Sequence, residues 1–266
     1  MSYRLVAVDL DDSLLGEDHQ ISDENKRTIY KAIERGVLVT IATGRPLQSC
    51  MPFVKELGLD VPFIIYNGAM VVKGGCLEPI YHRVIDAQDA IEIINQTRDF
   101  QPTYFVFQDH RLYVNEFNER TRRYTRFSNM EAHLESEIER IAERHPTKVL
   151  LYHTPEAIRR IYATIKDHFA GRLNYHISKP FFLEFVHREA SKGVALSSLA
   201  NKYQIPREEI IAIGDSYNDI SMIRYAGLGV AMANAYEEIK EHADVVTTSN
   251  AENGVAQVIK QYILEE

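Results

Sequence analysis

The chain has few cysteines, no long apolar run and no excess of positive charge, and each absence removes a class of protein. Its two cysteines, Cys50 and Cys76, lack CxxC spacing, which argues against a disulfide scaffold or a zinc site. We expect two free thiols in a reducing cytoplasm. No segment approaches the ~20 apolar residues of a membrane span, which excludes a membrane pump, and we expect no signal peptide. The net charge of −8 argues against broad binding to nucleic acid or anionic membranes.

What is present is typical of a globular protein. Hydrophobic residues make up 45% and charged residues 26% of the 266 positions, enough for one large or two modest domains. There are no repeats, low-complexity stretches or long Gly/Ser linkers. A monomer and a homodimer both fit this composition.

The first third of the chain alternates apolar strands with helices. Strands are predicted at Tyr3–Val8, Val37–Ala42 and Phe63–Tyr66, and Ser22 and Pro46 precede the intervening helices. Continuous apolar strands that alternate with helices are typical of a parallel sheet covered on both faces. The sequence therefore predicts an α/β core.

The pattern changes near residue 85 and returns near residue 188. Between them the sequence predicts an α+β insertion with the following elements: helices at 86–98, 131–145 and 156–169, a hairpin of Tyr104–Gln108 and Arg111–Glu116, and strands at 148–152, 173–178 and 181–187. From Ser191 strands at 210–213, 228–232 and 245–248 alternate with helices ending near 202, 226, 242 and 264. We therefore predict a discontinuous core domain, 1–84 and 188–266, and a second domain, 85–187.

Two carboxylates, Asp9 and Asp11, follow the first strand. Open α/β sheets place ligands at this end of their strands. Asp9 is a candidate nucleophile that would accept a phosphoryl group. Asp11 is a candidate general acid and base, which would protonate the leaving oxygen and then deprotonate water. A turn made by two aspartates is the alternative interpretation.

Further polar residues also lie at the ends of predicted parallel strands or begin the helices that follow them. Ser13 and Thr43 could donate hydrogen bonds to a phosphoryl group, and Arg45 could bind a phosphate or pair with a surface carboxylate. Lys192 begins a predicted helix, where a cation is unfavourable because it opposes the helix dipole. This suggests another reason for the lysine, and it could neutralise the Asp9 carboxylate and the incoming phosphate.

The segment GDSYND follows the strand at 210–213. Asp215 and Asp219 could lie near Asp9 and bind Mg²⁺, which prefers hard oxygen ligands. Asn218 could bind phosphate or order the turn. An ordinary acidic helix start is the alternative. Taken together, these elements predict metal-assisted phosphoryl transfer at one edge of the sheet.

The motifs resemble those of the haloacid dehalogenase superfamily, in its Cof-type phosphatase branch. DxDx(T/S) matches Asp9, Asp11 and Ser13, and the remaining motifs match as follows: Thr43, Lys192 in ASKGVAL, and Asp215 and Asp219 in GDSYND. NGA (67–69) and GVAMANA (229–235) are also similar to that branch. The resemblance implies a Rossmann-like core with an inserted C2-type cap. It also implies that Asp9, the Asp11 carbonyl and Asp215 bind Mg²⁺, with Asp219 in support.

Two positions depart from the common family pattern. Asp12 replaces a frequent Gly and Ser13 replaces Thr, and we expect the Asp12 side chain to point away from the phosphate. The cap would supply substrate specificity, with Glu184 and the Tyr and His residues of 104–113 and 175–187 as candidates.

These observations predict a cytoplasmic, Mg²⁺-dependent phosphatase that acts on small phosphate monoesters, such as sugar phosphates or FMN. The aspartyl-phosphate intermediate would form on Asp9. A sugar phosphomutase and a non-catalytic phosphate-binding protein are the alternatives. A dehalogenase fits less well, because cleaving a carbon–halogen bond requires neither Mg²⁺ nor the role given to Asp11.

Overall fold

The structure, a computed structural model, describes residues 3–73 and 79–266. The strands in chain order are β1 (Leu5–Val8), β2 (Leu38–Ile41), β3 (Phe63–Ile65), β4 (Met70–Val72), β5 (Pro79–His82), β6 (Thr103–Gln108), β7 (Arg111–Val114), β8 (Ala132–Leu134), β9 (Lys148–Tyr152), β10 (Leu173–Lys179), β11 (Phe182–His187), β12 (Ile210–Gly214), β13 (Leu228–Ala231) and β14 (Val245–Val246).

The helices alternate with these strands for much of the chain. They are α1 (Asp23–Glu34), α2 (Leu47–Glu56), α3 (Ala87–Thr97), α4 (Glu119–Ser128), α5 (Glu139–Ala142), α6 (Pro155–Ile165), α7 (Lys192–Lys202), α8 (Ile220–Tyr225), α9 (Glu237–Lys240) and α10 (Gly254–Ile259).

The described chain divides into two compact units. The first comprises residues 3–44, 50–73, 79–81 and 191–266, and the second comprises 45–49 and 82–190. The assignment of 85–187 as a cap that controls specificity stays a prediction.

The first unit contains a parallel sheet in the order β14-β13-β12-β1-β2. Leu5 of β1 pairs with Ile210 on one side and Leu38 on the other, so β1 is central. Its four residues are all buried, as expected for a strand covered on both faces. The predicted α/β class, with a parallel sheet, helices and additional sheets, is confirmed.

The third predicted strand contacts this sheet through one isolated bridge. Ile64 forms a parallel bridge with Ala42, whereas all three residues of β3, Ile64 included, pair antiparallel with β4. The strands β3, β4 and β5 form a separate small sheet. The sequence analysis did not anticipate β4 or β5.

The second unit has a six-stranded sheet in the order β10-β11-β9-β6-β7-β8. The predicted hairpin is confirmed, because β6 and β7 pair antiparallel around the turn at 109–110. One face of this sheet packs on α3, α5 and α6 through a core that includes Ile93, Ile141 and Ile161.

The predicted charged helix at 131–145 is wrong. Its first part forms β8, which pairs in parallel with β7, and only the four residues of α5 are helical. A helix that the sequence analysis missed, α4, lies just before it. Asn118 caps that helix by accepting a hydrogen bond from the Thr121 amide at 3.0 Å.

Two expectations about composition can be compared with the structure. Cys50 is buried and Cys76 lies outside the described residues, so the expectation of two free thiols stays a prediction. Across residues 3–73 and 79–266, every helix falls short of the length and apolar character that crossing a membrane would require.

Candidate active site

The first element of the site is the loop that follows β1. The Asp9 amide donates to the Ile213 carbonyl at 3.0 Å, so this residue still belongs to the edge of the sheet, and its side chain is buried. Asp12 adopts a left-handed conformation, with φ of 61°, which lets the loop turn back. Ser13 is fully buried after this turn.

Lys192 enters the same place from the first position of α7. Ser191 caps the helix, with its hydroxyl accepting from the Val194 amide at 3.2 Å. The Lys192 side chain has 0% exposure, and its Nζ donates to Oδ1 of Asp9 and, at 2.6 Å, to Oδ1 of Asp219. One buried ammonium therefore joins carboxylates that are 210 positions apart in the chain.

The turn after β12 holds the other two carboxylates. Asp219 ends a single 3₁₀ turn, and its Oδ2 accepts from the amides of Asp215 and Ser216 at 3.1 and 2.9 Å. A Cβ on Gly214 would lie 2.5 Å from the Asp219 side chain, so this close approach requires glycine. Ser13 completes the arrangement by donating to Oδ1 of Asp215 at 2.7 Å.

The electrostatics of this cluster favour a cation. Burial raises the pKa of Asp9 well above its ordinary value, although Lys192 opposes the shift. Burial, followed by the charge of Asp219, raises the pKa of Asp215 to about 7. Burial disfavours the Lys192 ammonium, but Asp219 and Asp9 outweigh it and raise the lysine pKa.

The donor set fits a hard divalent ion. Carboxylate oxygens of Asp9, Asp215 and Asp219 all lie within 4.8 Å of one another. With all three carboxylates ionised, as ligands of a metal must be, the one ammonium of Lys192 would leave a net charge of about −2 in this group, which a divalent cation would neutralise. The residues present therefore fit Mg²⁺, a metal that oxygen ligands suit.

Asp11 and Asp12 differ in their surroundings. Asp11 is half-buried, whereas Asp12 is exposed, and the Asp12 carbonyl accepts from Nδ2 of Asn234 at 2.7 Å. The assignment of Asp11 as acid and base, and of its carbonyl as a metal ligand, stays a prediction.

The structure places the predicted phosphate-binding residues in two groups. Thr43 is buried after β2, and its amide donates to the Ile64 carbonyl at 2.9 Å. Arg45 belongs to the second unit, where its guanidinium lies 5.8 Å from the ring centroid of Phe127. Phosphate binding by Ser13, Thr43, Arg45, Lys192 and Asn218 stays a prediction.

Asn67 is a buried polar residue that the sequence analysis did not assign to the site. It has φ of 56°, and its Oδ1 accepts from Nδ2 of Asn218 at 2.9 Å. Gly68 follows with φ of 90°, and a Cβ there would meet the Ser191 carbonyl oxygen at 2.1 Å. An Asn-Gly pair directly after an apolar strand was the available signal, because Asn and Gly tolerate this backbone.

Glu184, a cap candidate, lies in a buried ion pair within the second unit. Its Oε2 is 2.5 Å from Nζ of Lys148, and its Oε1 accepts from Ser178 at 2.7 Å. Both charged side chains are nearly inaccessible to solvent. A contribution of Glu184 to specificity stays a prediction.

Comparisons with known proteins agree with this architecture. The family described as haloacid dehalogenase-like hydrolase matches residues 6–259. Phosphatase YwpJ of Bacillus subtilis is 33% identical over 287 residues, covering 98% of this chain and 100% of that protein. The 5-amino-6-(5-phospho-D-ribitylamino)uracil phosphatase YcsE of B. subtilis is 31% identical over 263 residues, covering 98% and 96%.

A solved structure extends the similarity to the fold. The crystal structure of TM0651 from Thermotoga maritima matches with a TM-score of 0.85 and 32% identity, and the match covers 97% of each chain. Matches over nearly the whole length include both units, so the relationship is not confined to the motifs. The chain therefore belongs to the haloacid dehalogenase-like hydrolases, and within that family it is a phosphatase.

Proposed function

We propose that the chain is a Mg²⁺-dependent phosphatase of small phosphate monoesters that works through an aspartyl-phosphate on Asp9. The observation that carries the proposal is the buried cluster in which Lys192 binds both Asp9 and Asp219 beside Asp215. Such a cluster combines a nucleophile, a fixed positive charge and excess negative charge at one strand edge.

The proposed reaction has two steps. A carboxylate oxygen of Asp9 attacks phosphorus, the ester P–O bond breaks, and Asp11 gives a proton to the leaving oxygen. Asp11 then takes a proton from water, which attacks the acyl phosphate and releases inorganic phosphate and free Asp9. The ammonium of Lys192 offsets charge on Asp9 and on the phosphoryl group.

Asp9, Asp215, Asp219 and the Asp11 carbonyl would hold the metal. When bound, Mg²⁺ would supply neutralisation of negative charge at the phosphoryl oxygens. The hydroxyls of Ser13 and Thr43 would donate hydrogen bonds to the same group, with Arg45 and Asn218 as further phosphate contacts. Ser13 donates to Asp215 in the structure, so it would exchange this partner for phosphate.

The substrate proposal is a small phosphorylated metabolite in the cytoplasm. YcsE is named for a substrate that is a phosphate monoester of a ribityl chain, and FMN shares that ester. Sugar phosphates such as ribose 5-phosphate carry a phosphate on the same kind of primary hydroxyl, on a different skeleton. These compounds form the panel with which the proposal is tested.

The experiment measures phosphate release from FMN, sugar phosphates and an aryl phosphate, with and without Mg²⁺. We expect Mg²⁺-dependent release in the wild type and its loss in Asp9→Asn. Asp12→Asn is the matched control, because it removes a neighbouring but exposed carboxylate and should retain activity. Acid-quenched wild type incubated with ³²P-labelled substrate should carry acid-stable label that hydroxylamine removes and that Asp9→Asn lacks.

Two outcomes would overturn the proposal. Transfer of label back to the substrate without phosphate release would indicate the phosphomutase. Phosphate binding with neither release nor label, in folded protein with Mg²⁺, would indicate a binding protein.

A further inference from the structure

The second unit contains a cleft that the proposed reaction does not use. It has a volume of about 500 Å³ and lies beside α4, the end of β9 and the β10–β11 connection. A volume of this size is typical of sites for small molecules. All of its lining residues belong to the second unit.

The wall of the cleft is largely aromatic. Phe182 packs edge-on against Tyr152 and Phe181, with ring centroids 4.8 and 4.6 Å apart. Tyr124 and Phe127 line the cleft from α4, and Phe127 is 45% exposed. Tyr152 and Phe181 are half-buried, so with Phe127 they provide accessible ring surface on which a planar ligand can stack, whereas Tyr124 and Phe182 are buried.

The charges at the cleft are all positive. Arg120, Arg123 and Lys179 line it, and no Asp or Glu does. Arg123 pairs with Glu119 at 3.1 Å. Within the described part of the chain, no carboxylate lies within ion-pair distance of Arg120 or Lys179.

These two cations are placed to act together with the rings. Nζ of Lys179 lies 5.2 Å from the Phe127 centroid, and a guanidinium nitrogen of Arg120 lies 3.4 Å from Nε2 of His153. The cleft is therefore locally positive in a chain whose net charge is −8, and this local charge favours an anionic ligand.

We propose that this cleft binds a planar aromatic ring that carries an anionic group, the ring stacking on the aromatic wall and the anion lying against Arg120 and Lys179. The ligand would be a nucleotide-like or flavin-like effector separate from the substrate, because the phosphate of a hydrolysed ester would lie at Asp9 and not at Arg120 and Lys179.

The binding test uses 8-anilinonaphthalene-1-sulfonate, an aromatic anion that contains no phosphate ester. Fluorescence titration of the full chain without Mg²⁺ should give about tenfold weaker binding for Arg120→Ala and for Lys179→Ala. Arg126→Ala is the matched control, since it removes a cation from the same helix outside the cleft. Unchanged affinity in both cleft variants, or an equal loss in the control, would overturn the proposal.

Kinetics then test whether the cleft is separate from the substrate site. Arg120→Ala and Lys179→Ala should weaken sulfonate binding and leave the KM values for FMN and ribose 5-phosphate unchanged. A tenfold higher KM for FMN in both cleft variants would overturn the assignment of the cleft to a separate effector. A chain that hydrolyses no ester refutes the proposed function, whereas the fluorescence titration still decides the cleft.

Discussion

Replacing Lys192 with Met removes an ammonium and keeps most of the apolar volume, so it measures what the buried charge cluster contributes to stability. Breaking a buried ion pair by removing one partner costs about 3–5 kcal/mol, because the other charge stays buried. Asp219 would still accept two backbone hydrogen bonds, at 3.1 and 2.9 Å. Asp9 would lose the ammonium beside it. We therefore expect the free energy of unfolding to fall by about 3 kcal/mol, the lower end of this range.

The assay is urea unfolding in the presence of a chelator, so that no metal contributes. With a typical slope of about 2 kcal/mol per M, the transition midpoint of Lys192→Met should fall by about 1.5 M. Lys202→Met, at the exposed end of the same helix α7, is the control and should change stability by no more than about 0.5 kcal/mol. Equal midpoints for the two variants would refute the inference that Lys192 stabilises the fold through the two carboxylates.

The remaining predictions concern the backbone of the first unit and the ion pair of the second. Gly68→Ala should lower stability by more than about 3 kcal/mol, because its Cβ would meet a backbone carbonyl oxygen at 2.1 Å. Gly171→Ala, also at positive φ but with open space around it, should cost about 1 kcal/mol, and equal losses in thermal unfolding would contradict the steric argument. Burial alone would raise the pKa of Glu184, but Lys148 and its other partners outweigh burial and lower it. Glu184 should therefore add stability that is complete above its unfolded pKa, about 4.3, and is lost as pH falls through the lower folded pKa. In urea unfolding between pH 3 and 7, the free energy of unfolding should fall less on acidification for Glu184→Gln than for the wild type. Parallel pH dependences of the two unfolding free energies would contradict this.

The parallel core could be predicted from the sequence because its strands are apolar on both faces. The structure places β2 and β12 within one residue of the predicted bounds and begins β1 two residues later. Polar residues that follow such strands converge, because parallel strands end at the same edge of the sheet. Asp9 and Asp215 lie together for that reason.

The second unit was predicted less well because local preference and tertiary pairing disagree there. The segment 131–145 is rich in Glu, Ala and Arg, which favour helix, yet Ala132–Leu134 pairs with the edge of a sheet. The reverse holds for α4, which is helical although its Thr, Tyr and Phe residues have a weak helix preference. The Asn118 cap and the packing of Tyr124 against Phe105 favour the helix there. Contacts distant in sequence decided both segments.

The contact between Lys192 and Asp219 shows the same limit within the site. The sequence indicated that a lysine opposing its own helix dipole needs another reason to be there. Whether the ammonium also reaches Asp219, however, depends on how closely α7 approaches α8. The two helices are so close that a Cβ on Gly193 would meet the Ser221 carbonyl oxygen at 2.3 Å. That approach places one ammonium between two buried carboxylates and offsets the unfavourable dipole. Because Asp215 adds a third carboxylate, the arrangement that stabilises the lysine also leaves the negative charge that a divalent cation would neutralise.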